Sequence, residues 1–320
     1  MTPVGVVINA RSGRGRGKGE MLLRELRGGD QAHMQLLVLE NFDDLAPGLQ
    51  SLAAKGVRDL FISSGDGTIH AILTILAESG PFPALPRLCL LPHGTTSMTA
   101  ADLGLRRKSI SEQARFITSG TPRQTRRRHT IRVLNPKARG PLHGMFFCTG
   151  ALTEATRYCQ RAFNDRGVGG DFATFATLAT ALAKALLRPF GRENPDRFDR
   201  PYEITVKSEY ETLCSGRNLL VLATTLDKLI LGTRPFWGGA TAPIRVTTMP
   251  YPIPRLVRWA LPTLYGGEAR SVPPGAVSRA VRACSILCTS PFVLDGEFYD
   301  PPQDMPLQLE TGPDFEFIVG

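Results

Sequence analysis

The chain has few cysteines for its length and none in pairs. Its six, Cys89, Cys148, Cys159, Cys214, Cys284 and Cys288, are scattered and lack the Cys-x-x-Cys spacing of a zinc or redox site, so no such site is expected and a reducing compartment is. Long apolar runs are also missing. The longest weakly polar stretch, Phe172 to Leu187, is rich in Ala and Thr and carries Lys184, which argues against a membrane span. No basic segment followed by an apolar one precedes the first strand-like run, so no signal peptide is expected and the protein reads as cytoplasmic. Internal repeats and low-complexity tracts are absent. Acidic residues are locally scarce: from Gly104 to Arg139 eleven basic residues stand against the single acid Glu112, within a net charge of +9. Such a stripe suits phosphates or an anionic surface. Arg126-Arg127-Arg128 has no interleaved aromatics or recognition motif, and a nucleic-acid partner is not expected.

What is present is an alternation of strand and helix signals. With 320 residues and 42% hydrophobic content the chain can fill two ordinary cores. Val4 to Asn9 reads as a buried strand, followed by the glycine-rich basic loop Ala10 to Gly19 and a helix near Glu20 to Arg27. A strand at Gln35 to Glu40, a helix at Phe42 to Ala54, and strands at Arg58 to Ser63 and Arg87 to Leu91 continue the pattern. Alternation of this kind predicts a parallel sheet with helices on both faces and ligands at the carboxyl ends of its strands.

Two turns at that edge suit phosphate. Ser64-Gly65-Asp66-Gly67-Thr68 joins a strand to a helix, and its glycines let backbone N–H groups approach an anion. Read alone, it is equally a tight turn with an acidic helix cap. His93-Gly94-Thr95-Thr96-Ser97 repeats the arrangement. The loop at Gly13 to Gly19 is not a Walker loop, since Gly17-Lys18 is followed by Gly19 rather than Ser or Thr. Beyond the basic stripe, short strand-like runs separated by Pro and Gly predict a mostly β second half. One helix is expected there from the spacing of Phe172, Phe175, Ala179, Leu182 and Leu186. The expected division is 1–125, an α/β domain, and 126–320, a mostly β, sandwich-like domain whose last residues pack back on the first.

The ordered set of motifs resembles the diacylglycerol kinase catalytic domain family of lipid kinases, distant relatives of NAD kinases. Asn9-Ala10-Arg11-Ser12-Gly13 is similar to the family's first-strand motif, Ser64 to Thr68 to its GGDGT motif, and Pro92 to Gly104 to PLGTGNDFARSLG. Gly238-Gly239 with Pro243 and Asp295-Gly296-Glu297 resemble a later glycine-rich segment and the DGE motif. The resemblance implies an ATP-dependent phosphotransferase acting on an amphipathic lipid, with Mg2+ as cofactor and transient contact with a membrane. It assigns Glu297 as general base, Asp295 as its support or a metal ligand, and Asp66 to the nucleotide or its metal. Nucleotide contacts fall on Asn9, Arg11, Ser12, Gly13, Gly65, Asp66, Gly67, Thr68, Gly94, Thr95, Thr96 and Ser97.

Three departures matter. Ser97 and Met98 replace the family's Asn and Asp, and Asp102, four residues on and so on the same helical face, is a candidate substitute ligand. His70-Ala71 replaces Asn-Glu, with a surface histidine expected. The segment after Pro243 lacks an Asp-Gly pair, so a catalytic magnesium is expected without a structural one. Glycerolipid, ceramide and sphingoid acceptors stay open, as do an NAD kinase-like enzyme and a catalytically silent nucleotide- or lipid-binding protein. Pro254 to Leu261, which mixes arginines with Trp259, is a candidate membrane contact or a core-packing segment.

Overall fold

The computed structural model describes residues 3–9, 17–29, 33–93, 98–105, 109–119, 123–157 and 200–319. The predicted helix over Phe172 to Leu187 lies outside them. Contacts divide the chain into two compact units, 1–129 with 313–320, and 130–312. Both crossing points fall inside strands, Gln124–Val133 and Leu307–Val319.

In the first unit, strands β1 (Val4–Asn9), β2 (Met34–Leu39), β3 (Asp59–Ser64) and β4 (Arg87–Pro92) form a parallel sheet in the order β2-β1-β3-β4. The last strand of the chain adds beside β4, also parallel, with Phe317 opposite Leu88. β3 is buried along its whole length, as a central strand covered on both faces must be. Helices α1 (Lys18–Arg27), α2 (Leu45–Ala54) and α3 (Asp66–Glu78) connect the strands, and α4 (Met98–Asp102) and α5 (Ile110–Thr118) follow β4. Each boundary has a local cause. Ser109 caps α5 through a reciprocal pair with Glu112, whose carboxylate accepts from Ser109 N at 2.7 Å while Glu112 N donates to Ser109 Oγ at 3.2 Å. α2 seats closely on β2 because Gly48 has no Cβ, which would lie 2.5 Å from Leu37. Leu22 and Leu26 of α1, Ala114 and Ile117 of α5 and Phe61 of β3 share one core cluster.

The second unit is mostly antiparallel. Strand Arg217–Thr224 pairs with Phe146–Gly150 on one side and Ile244–Pro250 on the other. Its first residues, Arg217 and Asn218, also pair with Glu203 and Tyr202, which joins this half to strands Tyr202–Ser208 and Ala283–Cys288. Side chains from all of them fill one core, with Phe147 and Phe292 stacked at 5.2 Å. Gly238 approaches the backbone of Ser278 so closely that a Cβ would lie 2.3 Å from its carbonyl oxygen. The described cysteines, Cys89, Cys148, Cys214, Cys284 and Cys288, are free thiols. Burial pushes Cys148 above the usual thiol range.

Candidate functional site

The strand order fixes where a ligand fits the first unit. From β1 the chain turns outward to β2, then crosses back over β1 to β3, so the connections after β1 and β3 leave in opposite directions. A crevice opens between them at the carboxyl edge, the place where sheets of this order bind ligands. The register puts the strand ends side by side: Ile8 pairs with Ser63, and Ser64 with Pro92. Asn9 therefore ends β1 next to the Gly65–Thr68 turn, and Asn9 Nδ2 donates to Thr68 Oγ1 at 3.0 Å across the crevice.

Gly65 is extended (φ −86°, ψ 172°) and α3 begins at Asp66, whose partly exposed carboxylate lies in the helix's first turn. Gly67 and Thr68 complete that turn. The N–H groups there point out of the helix end and favour negative charge in front of them. α1 begins with Lys18 behind a left-handed Gly17, so a cation stands at the start of a second helix. Lys18 is close enough to His93 to act on its titration. The His93 imidazole is lowered to about 4, first by burial, then by Lys18, with Gln113 opposing. His93 is thus neutral at physiological pH, and its Nδ1 is hydrogen-bonded to Ser63 Oγ at 2.8 Å. This buried pair couples the ends of β3 and β4. It was not anticipated from the sequence, although a histidine at the leucine position of PLGTGND was the available signal. Arg11, Ser12, Gly13, Gly94, Thr95, Thr96 and Ser97 lie outside the described residues.

Two expectations are corrected in this unit. Asp102 is fully buried and its Oδ2 accepts from Arg128 Nε at 2.9 Å, so its carboxylate is engaged by a guanidinium instead of standing open as a metal ligand. The helical spacing from Met98 held, but a burial side was not readable from it. His70 is buried in α3 and not on its surface. Among the described residues no group of three or more His, Cys, Asp or Glu side chains gathers to hold a metal. A hard carboxylate oxygen at Asp66 still suits Mg2+, which binds through one or two carboxylates plus substrate phosphates instead of a full protein cage.

In the second unit, Asp295-Gly296 is a two-residue hairpin turn between Phe292–Leu294 and Glu297–Tyr299, with φ of 49° and 92° at the two turn residues. The Asp295 carboxylate points back into the protein. It accepts from Met145 N at 3.0 Å and Phe146 N at 2.8 Å. Gly144 permits this, since a Cβ there would come within 2.7 Å of Asp295 Oδ2. Burial raises Asp295 to about 6 against the opposing pull of the Met145 and Phe146 N–H groups. Asp295 thus anchors the turn, and the next residue but one, Glu297, is left on the exposed side. Tyr299 follows at the hairpin's half-buried strand. Its hydroxyl is raised to about 12, mainly by burial and then by Glu297.

Residues 3–127 match the profile of the diacylglycerol kinase catalytic domain family. Among solved structures, one titled a diacylglycerol kinase from Bacillus anthracis str. Sterne aligns with TM-score 0.63 at 15% identity over 99% of this chain and 97% of that one. Another solved structure from the same organism, whose title gives that assignment provisionally, aligns with TM-score 0.65 at 14% identity over 99% and 98% of the two chains. These similarities establish a shared fold. No curated protein matches by sequence.

Proposed function

We propose, taking a diacylglycerol kinase catalytic domain at residues 3–127 as the premise, that this protein transfers the γ-phosphoryl group of ATP to the hydroxyl of an amphipathic lipid. The observation that carries the reading is the carboxyl edge of the parallel sheet. There Asn9, Asp66, Thr68 and Lys18 stand at a switch point with two helix N-termini.

In this reading the N–H groups of Gly67 and Thr68 and the ammonium of Lys18 neutralise the nucleotide's phosphates. Asp66 would hold Mg2+, and the ion would supply charge stabilisation on the transferring group. Asn9, fixed by Thr68, sets the crevice's width, and neutral His93 with Ser63 keeps the ends of β3 and β4 in register. The lipid oxygen bonds to the γ-phosphorus as the bond to the β,γ-bridging oxygen breaks. The hydroxyl proton passes to Glu297 and ADP leaves. A carboxylate is basic enough, because a loose transition state asks little of the base until late. Asp295 acts through position: its bonds to Met145 and Phe146 hold the turn that presents Glu297. Glycerolipid is the default acceptor, with ceramide or a sphingoid base as competitors.

Labelled ATP offered against diacylglycerol, ceramide, sphingosine and NAD, with products separated by thin-layer chromatography, tests the proposal. A labelled lipid is expected. Labelled NAD instead would assign the rival nucleotide kinase. ATP binding without transfer to anything would assign a silent binding protein, a reading that the engagement of Asp102 by Arg128 favours.

A further inference from the structure

Three large apolar side chains of the second unit stay in water on two adjoining elements. Helix α6 (Leu256–Tyr265) exposes Leu261 (71%) and Tyr265 (53%), one turn apart, and the short turn Ile230–Gly232 exposes Leu231 (49%). The opposite side of α6 is used differently: Leu256 and Trp259 pack against the core, and Thr263 is buried. The arginine-tryptophan segment read from the sequence thus divides, with Trp259 facing inward and the outward face passing to Leu261 and Tyr265.

The two elements are tied together. Arg234 N donates to Leu264 O at 2.7 Å, and Arg270 Nη1 donates to Arg234 O at 2.5 Å and to Thr263 O at 2.6 Å. Arg270 is committed to these carbonyls. Arg234, which follows the short turn, and Arg255 and Arg258, at the cap and in the first turn of α6, are exposed on the same two elements. The local charge is one-sided over a long stretch: between Asp227 and Glu268 the chain has no acidic residue and five basic ones.

We infer that the face formed by Leu231, Leu261 and Tyr265, rimmed by Arg234, Arg255 and Arg258, docks this protein on an anionic lipid bilayer. The inference rests on the lipid kinase reading for its biological reason, since the acceptor of that reaction resides in a bilayer. Its physical basis is separate. Leucines at the tip of a surface enter the acyl boundary, a tyrosine suits the headgroup level, and arginines keep their charge at the phosphates while their stems stay apolar. A second copy of the chain fits this face poorly, because a two-fold contact would set the same cationic rim against itself.

The test is co-sedimentation of the full chain with vesicles of phosphatidylcholine alone or of equimolar phosphatidylcholine and phosphatidylglycerol. The wild type is expected to pellet with the anionic vesicles only, and less as salt rises. Leu261→Glu and Leu231→Glu should each weaken partition by about tenfold. Arg255→Gln with Arg258→Gln should weaken it by roughly fivefold for each charge. Tyr210→Glu, at an exposed tyrosine between two glutamates, should pellet like the wild type. Equal pelleting of Leu261→Glu and wild type would overturn the inference, as would equal binding to neutral vesicles. So would a change in solution mass by light scattering in Leu261→Glu, which would make the face a dimer contact. Phosphoryl transfer to detergent-dispersed lipid, measured in parallel, separates the two readings. Vesicle docking with no lipid phosphorylated supports the face and removes the kinase assignment.

Discussion

The two edges of the parallel sheet carry the same residue type in opposite roles. At the amino edge, Asp59 opens β3 buried between two arginines: Arg87 donates to it through Nε and Nη2 at 2.7 and 2.9 Å, and Arg123 through Nη1 at 2.5 Å. Arg123 also closes the end of α5, donating to Ile117 O at 3.0 Å and Ser119 O at 3.1 Å, and its guanidinium lies over the Phe61 ring at 4.8 Å. At the carboxyl edge, two residues beyond the end of the same strand, Asp66 opens a helix in front of a crevice. A cavity of about 670 Å³ lies at the amino edge, lined by Phe82, Leu85, Asp59 and Arg87. Its carboxylate is already matched by cations, and among the described residues the strand ends there lead into no helix N-terminus. Cavity size alone is a poor guide; the direction of the strands decides.

Each edge has a substitution that separates stability from nucleotide chemistry. Asp59→Ala should destabilise the protein by about 3–5 kcal/mol, because it strands buried Arg123 without its counter-ion, and denaturant titration would measure it. The folded fraction should keep its nucleotide affinity. Asp66→Asn should do the reverse, lowering kcat/KM for ATP by about 10²–10³-fold with little change in denaturation midpoint. If both changes acted on stability alone, the distinction between the edges would be gone.

Two further changes fall in the second unit. Glu297→Gln should lower kcat by about a hundredfold and leave the KM for ATP near wild type, since a base acts only in the transition state. The smallest effect concerns pH. Asp295 has a folded pKa of about 6 against 3.8 in the unfolded chain, so the fold holds its proton more tightly. That contribution to stability is full below about pH 4 and is lost as pH rises through about 6. Asp295→Asn should flatten this part of the stability profile, read by thermal denaturation across that range.

Much of the first unit was legible in the sequence because its signals are local. Short apolar runs, Val4 to Ile8 and Leu60 to Ile62, marked β1 and β3, and Gly-Asp-Gly marked the turn at the start of α3. Asp295-Gly296 was legible in the same way as a hairpin turn, and the structure has that turn between Phe292–Leu294 and Glu297–Tyr299. What escaped depends on partners distant in the chain. Asp102 meets Arg128, Ser63 meets His93, and Asp295 meets Met145 and Phe146, and no periodicity announces such pairs. The burial of His70 escaped for a related reason: helix spacing gives a face but not which face is covered.

In the proposed reaction, nucleotide holding and proton removal fall to different residues, Asp66 and Glu297. That division is checked by nucleotide binding in equilibrium dialysis, paired with single-turnover transfer to lipid, on Asp66→Asn and Glu297→Gln. Asp66→Asn is expected to lose both binding and transfer, while Glu297→Gln binds ATP like the wild type and transfers about a hundredfold more slowly. Unchanged binding and transfer in Asp66→Asn, or transfer at the wild-type rate in Glu297→Gln, would contradict it.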